Sequence, residues 1–276
     1  MSEAFAQLRS YLREASGISL DATKAFHVDA RLAPLMRSAG LPDLEALVQR
    51  MQRGDAELAR QTIEAMTTGE TFFFRDRQPF AAFRETILPA LLESRAAQRS
   101  LRIWCAACSS GQEPYSIAMI LDEHSRQLSG WRVELLASDI SRAAIDQARR
   151  GEYNQFEVQR GLPVDYLLRY FQREGERWRV SEFLRSRVEF REINLRSEFA
   201  GLGRFDVIFA RNVLLYFDDD LKTSMLKRLA AQCDANGYLI LGAAETVLGL
   251  SDVWRSDEVW PTIYRPSLGR ASKATA

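Results

Sequence analysis

Apolar positions divide the chain into two parts with different periodicity. Over residues 3–65 they recur at helical spacing, beginning with Phe5, Leu8 and Leu12, which would share one helix face. The same spacing returns in three later stretches, at residues 25–37, 44–51 and 55–66. A turn at 17–20 and the break at 40–43, GLPD, separate these stretches. Because strand-like alternation is absent here, the pattern predicts a small all-helical domain.

The rest of the chain carries short apolar runs that are typical of buried strands. The run at 101–106 leads through small residues at 107–111 into a helix start, which Gln112, Glu113 and Pro114 mark. Open α/β sheets form a ligand crevice where a strand passes through small residues into a helix. Further strands are predicted at 132–138, 177–180, 187–193, 205–210 and 238–242, with a final antiparallel strand at 259–264. We therefore predict an α/β fold with a ligand site at this turn.

The turn after the first strand lacks the usual phosphate-binding patterns. Its one glycine, Gly111, cannot supply G-x-G-x-x-G, and no lysine is present for a P-loop. Glu113 in the first helical turn would repel a phosphate, but it would suit a cation such as the amino group or sulfonium of S-adenosylmethionine. The alternative is structural, with Glu113 complementing the helix dipole and Pro114 opening the helix.

Asp139 ends the second predicted strand, roughly 20 to 30 residues beyond the turn, where an acid commonly accepts hydrogen bonds from a ribose diol. It is therefore our candidate for binding the cofactor ribose. The alternative is that Asp139 caps the following helix, but Ser141 is already placed to act as that N-cap.

The charge balance and the scarcity of metal ligands narrow the possible functions. Lys+Arg and Asp+Glu both number 37, giving a formal net charge of +0, which argues against a nucleic-acid protein. With 2 histidines and 3 cysteines at poor spacing, we expect neither a metal site nor a disulfide framework. No signal peptide or run of 18 apolar residues occurs, so we expect a cytoplasmic protein without membrane insertion.

An aromatic segment joins the two parts of the chain. Three phenylalanines at 72–74 stand between Thr71 and Arg75 in a stretch that is otherwise loop-like. They either hold Thr71 and Arg75 toward the ligand or attach the helical domain to the sheet.

Five motifs, TTGETFFFR, IWCAACSSGQEPYSIAMIL, ASDIS, INL and FARNVLLYF, in this order resemble the CheR family of chemotaxis receptor methyltransferases. The resemblance runs from Gly17 to about Tyr264. It implies a receptor-docking helical domain (1–76) and a Rossmann-like S-adenosylmethionine-binding domain (77–268) with a small inserted antiparallel β subdomain (about 163–193). The tail at 269–276 is predicted to be disordered from its small polar composition. Such enzymes methylate glutamates on the cytoplasmic helical bundle of chemoreceptors and release S-adenosylhomocysteine.

The resemblance also implies roles for individual residues. The matching cofactor contacts are Thr71, Arg75, Ala107, Glu113, Asp139, Asn194, Leu195, Arg211 and Asn212. Gly69 stands where many members have asparagine, so that side-chain contact is lost. We expect Arg75 to orient the incoming glutamate and Tyr216 to form a second wall of the catalytic site.

Lys24, Arg31 and Arg37 form a basic stripe at helical spacing, which by itself indicates no more than a solvated helix face. With the resemblance it becomes the expected docking face for an acidic receptor, although Pro34 and Leu35 replace arginines that relatives often carry. We expect a monomer.

The short connection at 172–180, QREGERWRV, differs from the longer glycine-bearing loop of relatives that dock a receptor tail. We therefore predict activity without such a peptide. Two other functions stay open at this point: an idle adaptor that senses the cofactor, and a methyltransferase for small molecules or nucleic acid.

Overall fold

The computed structural model describes residues 2–20 and 25–267. The amino-terminal part consists of helices α1 (Glu3–Ser16), α2 (Ala25–Ser38), α3 (Leu44–Gln52) and α4 (Ala56–Met66). Ser2, Asp43 and Asp55 cap α1, α3 and α4 by accepting backbone N–H groups of the first turn. Phe5, Leu8 and Leu12 are buried in the core between these helices. The helical domain expected from the 3.6-residue period is confirmed.

The remaining helices are α5 (Gln78–Ala82), α6 (Leu88–Ser94), α7 (Gln112–Glu123), α8 (Arg142–Arg150), α9 (Gln155–Gln159), α10 (Val164–Tyr170), α11 (Glu182–Arg185) and α12 (Asp219–Gln232). A π-helical turn, Phe83–Ile87, joins α5 to α6. The strands are β1 (Ser100–Ala106), β2 (Arg132–Asp139), β3 (Glu152–Asn154), β4 (Phe171–Glu174), β5 (Arg177–Val180), β6 (Val188–Glu192), β7 (Phe205–Ala210), β8 (Cys233–Leu241), β9 (Trp254–Ser256) and β10 (Ile263–Pro266).

A seven-stranded sheet with the order β6-β2-β1-β7-β8-β10-β9 forms the centre of the α/β part. The strands from β6 to β8 run parallel, and β10 and β9 add two antiparallel strands at one edge. Alternate residues of β1 face opposite cores, with Ile103 packed on the side of α7 and Trp104 on the side of α12. Both faces are therefore buried, and the predicted α/β class is confirmed.

The inserted antiparallel sheet differs from the predicted bounds of about 163–193 at both ends. Its three strands have the order β3-β5-β4, so it extends from Glu152 to Val180. A tight turn at Gly175, with φ of 62°, joins β4 to β5. The strand predicted at 187–193 is instead β6, which pairs in parallel with β2 at the edge of the main sheet. The placement of this strand in the insert was wrong because its backbone pairs with Leu135–Asp139 of β2, and Val188 and Phe190 are buried.

The last predicted strand, 259–264, is also shifted. Asp257 accepts hydrogen bonds from the backbone N–H groups of Val259 and Trp260, which closes a turn where a strand was expected. Pairing begins only at Ile263, and β9 was not predicted.

The carboxyl end of α1 packs on the α/β part. Asn194 donates from Nδ2 to the Ala15 carbonyl oxygen over 2.7 Å, and Arg13 pairs with Asp218 over 2.6 Å. Gly17 has a φ of 81°, and a Cβ there would lie 2.5 Å from Leu221. Close contact at this glycine brings the helical domain over the carboxyl ends of the parallel strands.

Candidate functional site

A crevice opens at the carboxyl ends of β1, β2, β6 and β7, beneath the helical domain. Residues 66–71 of the linker and Ser16 and Ile18 of the helical domain form part of its wall. All the predicted cofactor and catalytic residues line it: Thr71, Arg75, Ala107, Glu113, Asp139, Asn194, Leu195, Arg211, Asn212 and Tyr216. The structure thus brings these side chains together, and their individual roles stay predictions.

Arg31 and Arg37, two of the three predicted docking residues, are not among the residues that line the crevice. Lys24 is outside the described residues, and Arg31 and Arg37 are exposed on α2. Arg31 donates to the Met66 carbonyl oxygen and to Thr68 Oγ1, both over 2.9 Å. It therefore holds the linker that lines the crevice, a role that the sequence pattern did not indicate.

The turn after β1 has a left-handed backbone at Ala107, Ser109 and Gly111, with φ of 63°, 50° and 94°. A Cβ at Gly111 would lie 2.8 Å from Ala148, so a side chain at that position would collide with α8. Ser109 Oγ donates to the Gly69 carbonyl oxygen over 2.7 Å. This bond joins the turn to the linker and closes one side of the crevice.

Asp139 is buried at the end of β2, and its carboxylate holds two backbone groups. Oδ2 accepts from Ser109 N over 2.8 Å, and Oδ1 accepts from Ser141 N over 2.9 Å. Ser141 Oγ accepts from Ala144 N, so Ser141 is the N-cap of α8. Burial raises the pKa of Asp139, and its backbone hydrogen bonds oppose that rise. Each oxygen keeps a further lone pair, so the carboxylate can also accept bonds from a ribose diol.

Glu113 carries a buried ion pair at the first turn of α7. Its Oε2 accepts from Arg211 Nη1 over 2.7 Å, while Arg211 Nη2 donates to Asp76 and to the Arg75 carbonyl oxygen. Burial raises the pKa of Glu113, and the Arg211 guanidinium opposes the rise. The acid thus already has a cationic partner, which the local sequence pattern did not predict. Arg211 Nε is buried without a hydrogen-bond partner among the described residues.

Arg75 extends along the linker wall of the crevice. Its Nη1 donates to the Glu70 carbonyl oxygen over 2.8 Å, and its guanidinium carbon lies 5.6 Å from the Phe72 ring centre. Phe73 and Phe74 are buried and pack edge-on against rings of the α/β core. Phe73 and Phe74 therefore attach the segment to the sheet, and Phe72 contacts Arg75, while the role of Thr71 and Arg75 toward a ligand stays a prediction.

Two acids that the sequence reasoning missed hold the site together. Asp76 pairs with Arg211, and it directly follows Arg75, which was the one available signal. Glu245 lies in the turn after β8 and accepts from the backbone N–H groups of Asn212 and Leu214, each over 2.7 Å. These partners are about thirty residues away in the chain, so no local pattern would have identified Glu245.

Within residues 2–20 and 25–267, no cluster of three or more His, Cys, Asp or Glu side chains is arranged to hold a metal ion. None of the helices described in these ranges has the length and apolar character needed to cross a membrane.

Comparison with known proteins gives a consistent result along the chain. Residues 3–67 match the family model for the all-alpha domain of CheR methyltransferase, and residues 69–259 match the model for its SAM binding domain. Chemotaxis protein methyltransferase 1 from Pseudomonas aeruginosa (strain PAO1) is 42% identical over 266 residues, covering 95% of this chain and 97% of that protein. Chemotaxis protein methyltransferase Cher2 from Pseudomonas putida (strain KT2440) is 42% identical over 266 residues, covering 94% and 96%.

More distant similarities are also found. The chemotaxis protein methyltransferase of Borreliella burgdorferi is 31% identical over 256 residues, covering 90% of this chain and 89% of that protein. Among solved structures, magnesium protoporphyrin IX methyltransferase from Synechocystis PCC 6803 with bound SAM has a TM-score of 0.32 and 15% identity, covering 70% of this chain and 73% of that chain. A similarity at that level carries no inference.

Proposed function

This chain belongs to the CheR methyltransferase family, and we propose that it transfers a methyl group from S-adenosylmethionine to glutamate side chains of chemoreceptors, giving glutamate methyl esters. The observation that carries the proposal is the crevice itself. Residues from five separate segments of the chain, all expected to bind the cofactor or the glutamate, line its wall. The relatives named as chemotaxis protein methyltransferases support the same activity.

The crevice residues fit the chemical groups of this cofactor. The Asp139 carboxylate retains acceptor capacity for the ribose hydroxyls, as described above. The small residues Ala107 and Ser109 leave the backbone of the turn accessible to a ligand. Glu113 and Asp76 surround Arg211 with negative charge, which suits a ligand that carries an amino group and a sulfonium. When bound, the cofactor supplies an electrophilic methyl group.

The protein's part in the reaction is to position the glutamate. A glutamate side chain is already ionised at neutral pH, so its attack requires no general base. Holding the reacting groups in line contributes roughly 7 to 11 kcal/mol. Arg75 is half-buried at the crevice wall and orients the incoming carboxylate, and Tyr216 forms a second wall. The helical domain above the crevice excludes water.

Receptor docking is the role that we assign to the basic face of α2. Arg31 and Arg37 are exposed there, and receptor segments that carry methylatable glutamates are acidic, so we expect binding to weaken with added salt. The tight turn at Gly175 leaves the small sheet without an extended loop. On this basis we propose that a receptor tail peptide is not required, and that the enzyme acts as a monomer.

Transfer of labelled methyl groups to receptor-containing membranes tests this function. We expect label in the receptor that mild alkali releases as methanol, because carboxyl esters hydrolyse under these conditions. A receptor variant with glutamine at its methylation sites should accept no label, and Arg75→Ala should transfer much less at saturating cofactor. Label that survives alkali, or cofactor binding without transfer, would contradict the proposal. The latter result would favour the cofactor-sensing adaptor.

A further inference from the structure

Glu245 is a buried carboxylate in the turn after β8, and all its hydrogen bonds are to backbone groups. Oε2 accepts from Asn212 N over 2.7 Å and from Gly242 N over 2.8 Å. Oε1 accepts from Leu214 N over 2.7 Å and from Leu215 N over 3.3 Å. One side chain therefore satisfies four N–H groups from two separate segments.

Three of these four groups belong to the segment 212–215, which has no regular strand or helix partner of its own. Asn212 has a φ of 58°, and only a short 3-10 turn, Leu214–Tyr216, follows. Backbone N–H groups in such a segment require an acceptor when they are buried. The Glu245 carboxylate is that acceptor, so it fixes the path of the chain after β7.

Gly242 packs closely against both Asn212 and the Glu245 carboxylate. A Cβ at Gly242 would lie 2.7 Å from Asn212 Nδ2 and 2.8 Å from Glu245 Oε2. Glycine at this position therefore lets the two segments approach closely enough for the carboxylate to reach Asn212 N.

We propose that Glu245 is a positioning residue for the cofactor and substrate side chains that follow β7. Arg211, Asn212 and Tyr216 line the crevice and lie within or beside the segment that Glu245 holds, whereas Glu245 itself is not among the crevice-lining residues. The inference rests on the proposed roles of Arg211 and Asn212 in the cofactor site. It adds that their placement depends on a carboxylate that contacts neither cofactor nor glutamate.

Asp206 provides a matched control on β7, the strand that precedes the segment 212–215. It is a buried carboxylate at the opposite end of β7, where it pairs with Arg95 and accepts from Arg102 N over 2.8 Å. Removing its charge also breaks a buried network, but at the end of the sheet away from the crevice.

The experiment compares full-length Glu245→Gln and Asp206→Asn with the unmodified chain. Glutamine keeps one acceptor oxygen, but its NH₂ group replaces the other oxygen and faces two N–H donors. Asn212 N loses its acceptor if the NH₂ group replaces Oε2, and Leu214 N loses its acceptor if the NH₂ group replaces Oε1. Calorimetry should show S-adenosylhomocysteine binding weakened about tenfold by Glu245→Gln, equivalent to ~1.4 kcal/mol, and by less than about twofold for Asp206→Asn. Glu245→Asp, which retains a carboxylate on a shorter stem, should recover part of the affinity.

Amide hydrogen exchange at residues 212–215, measured without ligand, gives an independent readout. Glu245→Gln should accelerate exchange at these residues, and Asp206→Asn should leave it unchanged. Slow exchange retained in Glu245→Gln, or equal loss of cofactor affinity in both variants, would overturn the proposal. If the unmodified chain failed to bind S-adenosylhomocysteine, the cofactor site would be wrong, while the exchange result would still decide whether Glu245 holds the segment.

Discussion

The two ends of the parallel sheet each contain a charged network with a buried carboxylate, Asp206 or Glu113, but they differ in backbone conformation. At the amino end, Arg102 pairs with Glu134 over 2.7 Å and Asp206 accepts from Arg102 N. At the carboxyl end, Arg211 pairs with Glu113 over the same distance. Six of the seven described non-glycine residues with left-handed φ lie in segments that form or adjoin the crevice at the carboxyl end: Phe74, Asp76, Arg77, Ala107, Ser109 and Asn212.

The difference shows that buried charge alone does not mark a functional site in this protein. Left-handed backbone costs free energy at residues other than glycine, so it persists only where surrounding bonds hold it. At the carboxyl end Asp139, Glu245 and Arg211 supply those bonds to the segments that carry Ser109, Asn212 and Asp76. At the amino end the network joins regular strands. The coincidence of strained backbone with buried charge identifies the crevice.

The largest expected effect comes from removing Arg211. Arg211→Ala leaves the buried Glu113 without its cation, and breaking a buried ion pair in this way costs about 3–5 kcal/mol. We expect urea unfolding to show a loss of that size and calorimetry to show no detectable S-adenosylhomocysteine binding. Arg102→Ala, at the more exposed amino-end network, should lose less stability and retain binding. Equal effects of the two variants would abolish the distinction between the ends.

Asp139→Asn should mainly weaken the binding of the cofactor. An amide cannot accept from Ser109 N, Ser141 N and a ribose diol together, and hydrogen bonds to a charged group contribute about 1.5–3 kcal/mol. The expected loss of S-adenosylhomocysteine affinity is about tenfold to a hundredfold. Glu134→Gln, on the same strand at the other end, is the matched control and should bind normally. Weakened binding in both variants would indicate a general loosening of β2.

The raised pKa of Asp139 also predicts that folding stability and cofactor affinity depend on pH in opposite directions. Burial raises its pKa, so its contribution to folding is most favourable below the ordinary value of about 3.9 and is lost as pH rises through the raised pKa. Binding of ribose hydroxyls favours the carboxylate, so affinity should increase with pH over that same window. The difference between the unmodified chain and Asp139→Asn isolates this group. Calorimetry and thermal unfolding from pH 4 to 7 measure both slopes, and slopes of the same sign would contradict the assignment.

The elements of the fold follow from local patterns, whereas the partners of the site do not. The helical spacing of Phe5, Leu8 and Leu12 predicts α1, and a short apolar run predicts β1. Both signals are local, because the buried face of a helix or the two buried faces of a strand are formed by residues that are close together in the chain. The partner of β6 was predicted wrongly because strand pairing is a contact between distant segments. For the same reason the sequence did not indicate the role of Glu245 or the ion pair between Glu113 and Arg211.

The smallest expected effect tests whether the helical domain influences the carboxyl end through the linker. Arg31 and Arg37 are both exposed arginines of α2, but only Arg31 bonds to the linker, at Met66 and Thr68. Exposed interactions of this kind contribute about 0.2–1 kcal/mol. Arg31→Gln should therefore weaken S-adenosylhomocysteine binding by about two- to fourfold.

Arg37→Gln is the control for charge. The Arg37 side chain is exposed and has no hydrogen-bond partner within residues 2–20 and 25–267, so this variant should leave cofactor affinity unchanged. Both variants remove one positive charge from the proposed docking face, so both should weaken binding of a receptor fragment at low salt. If they lower cofactor affinity equally, the effect is long-range electrostatics and Arg31 has no special role in holding the linker. If neither lowers it, the bonds from Arg31 to Met66 and Thr68 do not influence cofactor binding.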